Sequence, residues 1–172
     1  IDIYIKDALP DHIDPNFIFL YVAKRIPPHL LRNIDIIYVG KFKNLIEKEA
    51  TAVYEDGAIY LTIEQDDDMD MIDDLTHEIA HSNESYYKSF LYDDGLLERE
   101  FIAKRKSLYL LLKSQFGLTP PISLMHDAHY RKEIEDFLYQ KVGYNGLNNA
   151  IVGLFSTTYS TVSLREYFAR GF

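Results

Sequence analysis

Apolar positions along the first third of the chain recur with two periods. Ile1, Ile3 and Ile5 alternate with Asp2 and Tyr4, the period of a strand. Asp14-Pro15 reads as a helix start, with Asp as the cap and Pro at the first position; Phe17–Ile26 continues it until Pro27-Pro28. Ile34–Val39 is β-branched and predicts a strand closed by Gly40. Ala52–Tyr54 and Ala58–Ile63 flank Glu55-Asp56-Gly57, a hairpin signal because Asp-Gly tolerates the positive φ of a tight turn. From Leu96 onward the pattern is helical. Leu96–Phe116 predicts a long helix stopped by Gly117 and Pro120-Pro121. Asp127–Val142 predicts another, stopped by Gly143, and Leu147–Phe155 and Leu164–Phe172 predict shorter ones. A small sheet followed by a mostly helical C-terminal half makes an α+β fold, expected as a single domain over residues 1–172.

Between the hairpin and the helical half, Ile72, Leu75 and Ile79 follow i, i+3, i+7 and form one apolar stripe. The run Asp66–Asp70 precedes it and suits the positive end of a helix dipole. It matches alternate positions of a calcium loop, but Met71 stands where that loop requires Gly and His77 where it closes with Glu. It therefore reads as a helix start with a solvated acidic face. Beside the stripe lies His77-Glu78-Ile79-Ala80-His81. Positions i and i+4 share a helix face, so both imidazoles can bind one Zn²⁺ while Glu78 projects beside an open metal position. The alternative reading is a surface helix that happens to carry these three residues.

Composition narrows the classes. The 172 residues carry a net charge of −9, which argues against nucleic-acid binding and suits, at most, basic substrate segments. No apolar run reaches the ~18 residues of a membrane span, and no secretory signal is visible. The absence of cysteine removes disulfides and thiolate ligands and leaves the compartment open. A first residue that is not Met and an end at Phe172, within an expected helix, suggest an excerpt of a longer chain whose other domains would be partners.

A catalytic zinc site needs three protein ligands and one open position. One class of zinc protease places a third His six residues after the second, with Gly halfway. Tyr87 and Glu84 occupy those places and exclude that class. A Glu on a later helix remains, and Glu100 and Glu166 both qualify. Glu100 has Glu98, Lys104 and Arg105 as neighbours and also fits a solvated helical face. Ser163-x-x-Glu166 is also a capping box. His126 and His129 flank Asp127 and could mark a second metal site, though ordinary surface histidines explain them as well.

Glu166-Tyr167-Phe168-Ala169, followed by Phe172, resembles the Glu-Phe-Phe-Ala segment of the anthrax lethal factor-like zinc peptidases, the group that includes the Pro-Pro endopeptidases. The resemblance covers this segment, the His-Glu-x-x-His motif and the order of sheet before helices. It implies a zincin-like metallopeptidase domain of gluzincin type, with Glu166 as the third zinc ligand beside His77 and His81. It also implies that Tyr159, seven residues before Glu166, donates a hydrogen bond to the transition-state oxyanion. Two features depart from the family. The gap between the motifs is longer, and Arg170 stands where the toxin has an acid that supports a zinc histidine.

The expected activity is therefore endoproteolysis of a peptide or protein substrate. Glu78 acts as general base, and the substrate pairs as an extended strand with Ala58–Ile63, expected at the sheet edge. The alternative is a zincin-like module retained for interaction or assembly. An intact Glu78 favours catalysis, since a structural metal site has no use for a base.

Overall fold

The computed structural model describes residues 1–172, which form two compact units, Ile1–Tyr87 and Lys88–Phe172. No helix is long and apolar enough to cross a membrane.

The first unit is a four-stranded mixed sheet with two helices packed on one face. Strands β1 (Asp2–Ile5), β2 (Ile36–Val39), β3 (Ala52–Glu55) and β4 (Ala58–Leu61) lie in the order β1-β2-β4-β3. β1, β2 and β4 are parallel, and β3 runs antiparallel to β4. The hairpin forms where the sequence places it, with Asp56 at φ 47° and Gly57 at φ 84°. Helix α1 (Pro15–Arg25) starts as its sequence predicts, with the Asp14 carboxylate accepting the N–H groups of Asn16 and Phe17. Helix α2 (Lys43–Lys48), which has no strong sequence signal, joins β2 to β3.

Helix α3 (Asp68–Tyr86) carries the motif. Asp67 caps it by accepting the Asp70 N–H at 2.9 Å, so the acidic run is a helix start, as read. Met71, Ile72, Leu75 and Ile79 are buried and pack with Ile18 and Val22 of α1 and with Ile37, Val39, Ile59 and Leu61 of the sheet. Burial of these side chains supplies the adhesion, at ~1.5–3 kcal/mol for each fully buried aliphatic.

One expectation is corrected here. β4 is an inner strand, paired on both sides. Ala58, Ile59 and Leu61 are buried in the core, and the two-residue turn folds β3 back along the outside. The open edge on that side is therefore β3, not Ala58–Ile63.

The second unit is helical: α4 (Lys88–Tyr92), α5 (Leu96–Ser114), α6 (Lys132–Asp136), α7 (Tyr144–Ala150) and α8 (Leu164–Ala169). The helix expected over Asp127–Val142 starts only at Lys132. Asp127 instead closes a turn, its carboxylate accepting the His129 N–H at 2.9 Å and the Arg131 Nε–H at 2.6 Å. α6 then continues as a π-helical stretch, Phe137–Val142, that ends at Gly143 with φ 77°.

Arg105 also departs from its sequence reading as part of a solvated face. It is fully buried on the stripe of α5 that holds Phe101, Leu108 and Leu112. Its guanidinium donates to the carbonyls of Thr161 (2.8 Å), Val162 (2.6 Å) and Asp127. Burial pulls its pKa down to about 10, so it stays charged at neutral pH.

Two predictions follow from this unit. Arg105→Met strands three carbonyls, two of them buried, and should cost on the order of 3 kcal/mol, with Arg105→Lys intermediate, as read by denaturant unfolding. The His129 N–H, with help from Arg131, holds the Asp127 carboxyl down at about 2. Its contribution to stability is present above the unfolded-chain value of ~3.9 and is lost as pH falls through about 2. Asp127→Asn should flatten the pH dependence of the unfolding midpoint in that window.

Candidate metal centre

The i, i+4 spacing on α3 brings His77 and His81 one above the other, and the adjoining apolar stripe draws both into the first unit. His77, Glu78 and His81 are all buried, at 9%, 7% and 7% exposure. The rings meet edge to face, and the two Nε2 atoms are 3.1 Å apart. A tetrahedral ion with ~2.0–2.1 Å bonds to nitrogen holds its ligand atoms about 3.4 Å apart, so both lone pairs can reach one ion with little movement. The same spacing serves an N–H···N hydrogen bond between the rings. The potential ligand atoms of His77, Glu78 and His81 lie within 4.8 Å of one another, and the group can hold a metal ion.

Two contacts in this unit orient the group. Glu78 Oε2 accepts the backbone N–H of Tyr54 at 2.6 Å, tying the carboxylate to the open-edge strand β3. His81 Nδ1 lies 3.3 Å from Glu84 Oε2, one turn further along α3. A carboxylate on the far nitrogen of a ligating imidazole fixes its tautomer and raises its basicity. Sequence reading used Glu84 only to exclude a protease class. The i, i+3 spacing from His81 was the available signal. The Tyr54 contact had no sequence signal, because it joins residues 24 positions apart through the sheet.

The second unit holds the remaining candidates. Glu166 lies in the first turn of α8, where Ser163 Oγ accepts its N–H at 3.2 Å, as the expected capping box requires of Ser163. Tyr159 lies in the 3₁₀ turn Tyr159–Thr161, just before α8. Burial first, then the negative charge of Glu166 and Glu135, pushes its pKa up to about 12. Its hydroxyl therefore remains a donor throughout the neutral range. Arg105 pins this turn through Thr161 and Val162.

Glu100 is engaged elsewhere. Its carboxylate accepts from Tyr167 Oη at 2.6 Å and Lys104 Nζ at 3.1 Å, and these bonds hold its pKa below the ordinary value. His129 is exposed beside Asp127, and His126 and His129 form no ligand group. Comparison of the chain with protein-family models, with curated proteins and with solved structures found no match.

A first-row divalent ion titrated into the protein should bind in a way that His77→Ala with His81→Ala abolishes, measured by calorimetry. Glu84→Ala should weaken binding by ~10–100-fold while leaving the helical circular dichroism unchanged. Stoichiometric binding by the double histidine variant would remove the site.

Proposed function

We propose that this chain is a zinc-dependent endopeptidase domain of the lethal factor-like, zincin type. The observation that carries the reading is the convergence of His77 Nε2 and His81 Nε2 beside a carboxylate, Glu78, bonded to the open-edge strand. A purely structural site would call for a fourth protein ligand and would have no role for Glu78. His77 and His81 hold the metal, and Glu166 is the third ligand on the strength of its sequence pattern. Zinc held there would acidify a water and polarise the scissile carbonyl.

The chain's own residues do the rest. Glu78 takes the proton of the attacking water and delivers it to the leaving amine. The Tyr54 N–H, at 2.6 Å, fixes the orientation of the carboxylate. Tyr159, protonated across the neutral range, donates to the developing oxyanion. Strand β3 has no strand on its outer side, and with the Tyr54 N–H taken by Glu78 an extended substrate peptide pairs with its remaining outward groups by strand addition.

The test is cleavage of a mixed peptide library by zinc-loaded protein, read by mass spectrometry. Glu78→Gln should keep zinc and lose cleavage by orders of magnitude. Tyr159→Phe should keep fold and metal and slow turnover by an amount equivalent to ~2.7–4 kcal/mol of barrier. Glu166→Ala should weaken zinc binding strongly, and Glu100→Ala should leave it nearly unchanged. Equal cleavage by wild type and Glu78→Gln would defeat the mechanism, and zinc loss on Glu100→Ala instead of Glu166→Ala would defeat the family assignment.

A further inference from the structure

The other edge of the sheet has a different character. β1 is exposed along its whole length and pairs only with β2. Asp2 and Lys6 both donate their N–H groups to the β2 side, to Asp35 O at 2.9 Å and Val39 O at 2.8 Å. Backbone groups alternate in direction along a strand, so those of Ile3 and Ile5 point out from the open edge. Below this edge, Ile3 and Ile5 share an apolar groove of about 560 Å³ with Ile37, Phe19, Leu20 and Ala23. Ile3, Ile5 and Leu20 remain 45%, 42% and 58% exposed. Soluble proteins guard such edges with inward charges, prolines or bulges, and the groove side of β1 carries only isoleucines.

The strand is complementary to itself. We propose that β1 pairs antiparallel with β1 of a second copy of this chain, about a two-fold axis passing at Tyr4. In this register Ile3 lies opposite the partner's Ile5, and each exchanges both N–H···O bonds, as their outward backbone groups require. Asp2 lies opposite the partner's Lys6, and Lys6 opposite the partner's Asp2, on the face away from the groove. Shifting the pair by two residues keeps the hydrogen bonds but loses both charge pairs, so the charges select this register. The axis is perpendicular to the sheet. It therefore joins the two grooves into one trough, floored by Ile3 and Ile5 of both copies and walled by the two α1 helices. Leu20 is then covered across the axis. The interface is isologous and closes on itself, which gives a dimer and not a fibre.

The test exploits the two-fold symmetry. Analytical ultracentrifugation of the full chain should show a dimer. Asp2→Lys and Lys6→Asp each place like charges opposite one another twice, and each should weaken dimerisation by about tenfold or more. Lys6 also donates to the Lys41 carbonyl at 2.7 Å, so a single variant could lose the dimer for a local reason. Mixing settles that: Asp2→Lys with Lys6→Asp restores both opposite-charge pairs, so an equimolar mixture should form a heterodimer. The doubly swapped chain should dimerise by itself. A monomeric wild type would overturn the proposal and leave the β1 edge to a strand of another sequence. Single variants that dimerise like wild type, or a mixture that stays monomeric, would overturn it as well.

Discussion

Helix α3 must hide one side in the core of the first unit while the adjoining side carries two imidazoles and a carboxylate. Met71, Leu75 and Ile79 are 1% exposed, and their burial fixes the rotation of the helix. Fixing that rotation pulls His77, Glu78 and His81 out of water with them. A buried polar group left unpaired costs ~1–3 kcal/mol, so each must find a partner. The histidines meet each other, and Glu78 finds the Tyr54 N–H. Just beyond the motif, Asn83 Nδ2 reaches the Leu30 carbonyl at 2.7 Å. The packing that stabilises the unit therefore also orients the three side chains that could hold a metal ion.

The second unit solves a similar problem with a cation. Arg105 lies on the buried stripe of α5, where a leucine would satisfy the packing. Its planar fork instead collects carbonyls from two separate loops, the Asp127 turn and the Thr161–Val162 turn. An isolated buried charge is costly, and three carbonyl dipoles offset that cost. The result is a rigid support beneath Tyr159 and the start of α8, in a region where short helices give little regular structure. Tyr139 adds a second tie to the same region, its hydroxyl donating to Thr158 Oγ1 at 3.3 Å.

The two edges of one small sheet divide the surface by chemistry. β3 offers backbone groups beside a carboxylate and two imidazoles. β1 offers backbone groups above an apolar groove. Four strands leave two edges without a neighbouring strand; β1 is exposed along its length, while β3 is mostly half-buried and tied to α3 through Tyr54 and Glu78. An exposed edge is a liability unless something pairs with it, and the two edges differ in burial and in the chemistry beside them.

Local structure was readable from the sequence wherever its cause lies within a few residues. Asp14-Pro15 starts α1, Asp56-Gly57 makes the hairpin, Asp67 caps α3, and the i, i+4 histidines share a helix face. The α+β layout followed from the change in apolar period before and after the motif. Strand order was not readable, because alternation shows which face a residue takes and not which neighbour its strand takes. Ala58–Ile63 was thus placed at the edge, where tertiary pairing puts β3. The Asp127–Val142 helix failed at its start because the Asp127 carboxylate bonds His129 and Arg131 in place of entering a helix. Arg105 misled because charge normally signals solvent, while its position on the Phe101–Leu108–Leu112 stripe signalled burial. The sequence by itself determined that His77, Glu78 and His81 lie together along one helix, since helix geometry is local. Only the tertiary structure decided what holds them, because the Tyr54–Glu78 bond and the Arg105 carbonyl contacts join positions far apart in the chain that packing alone brings together.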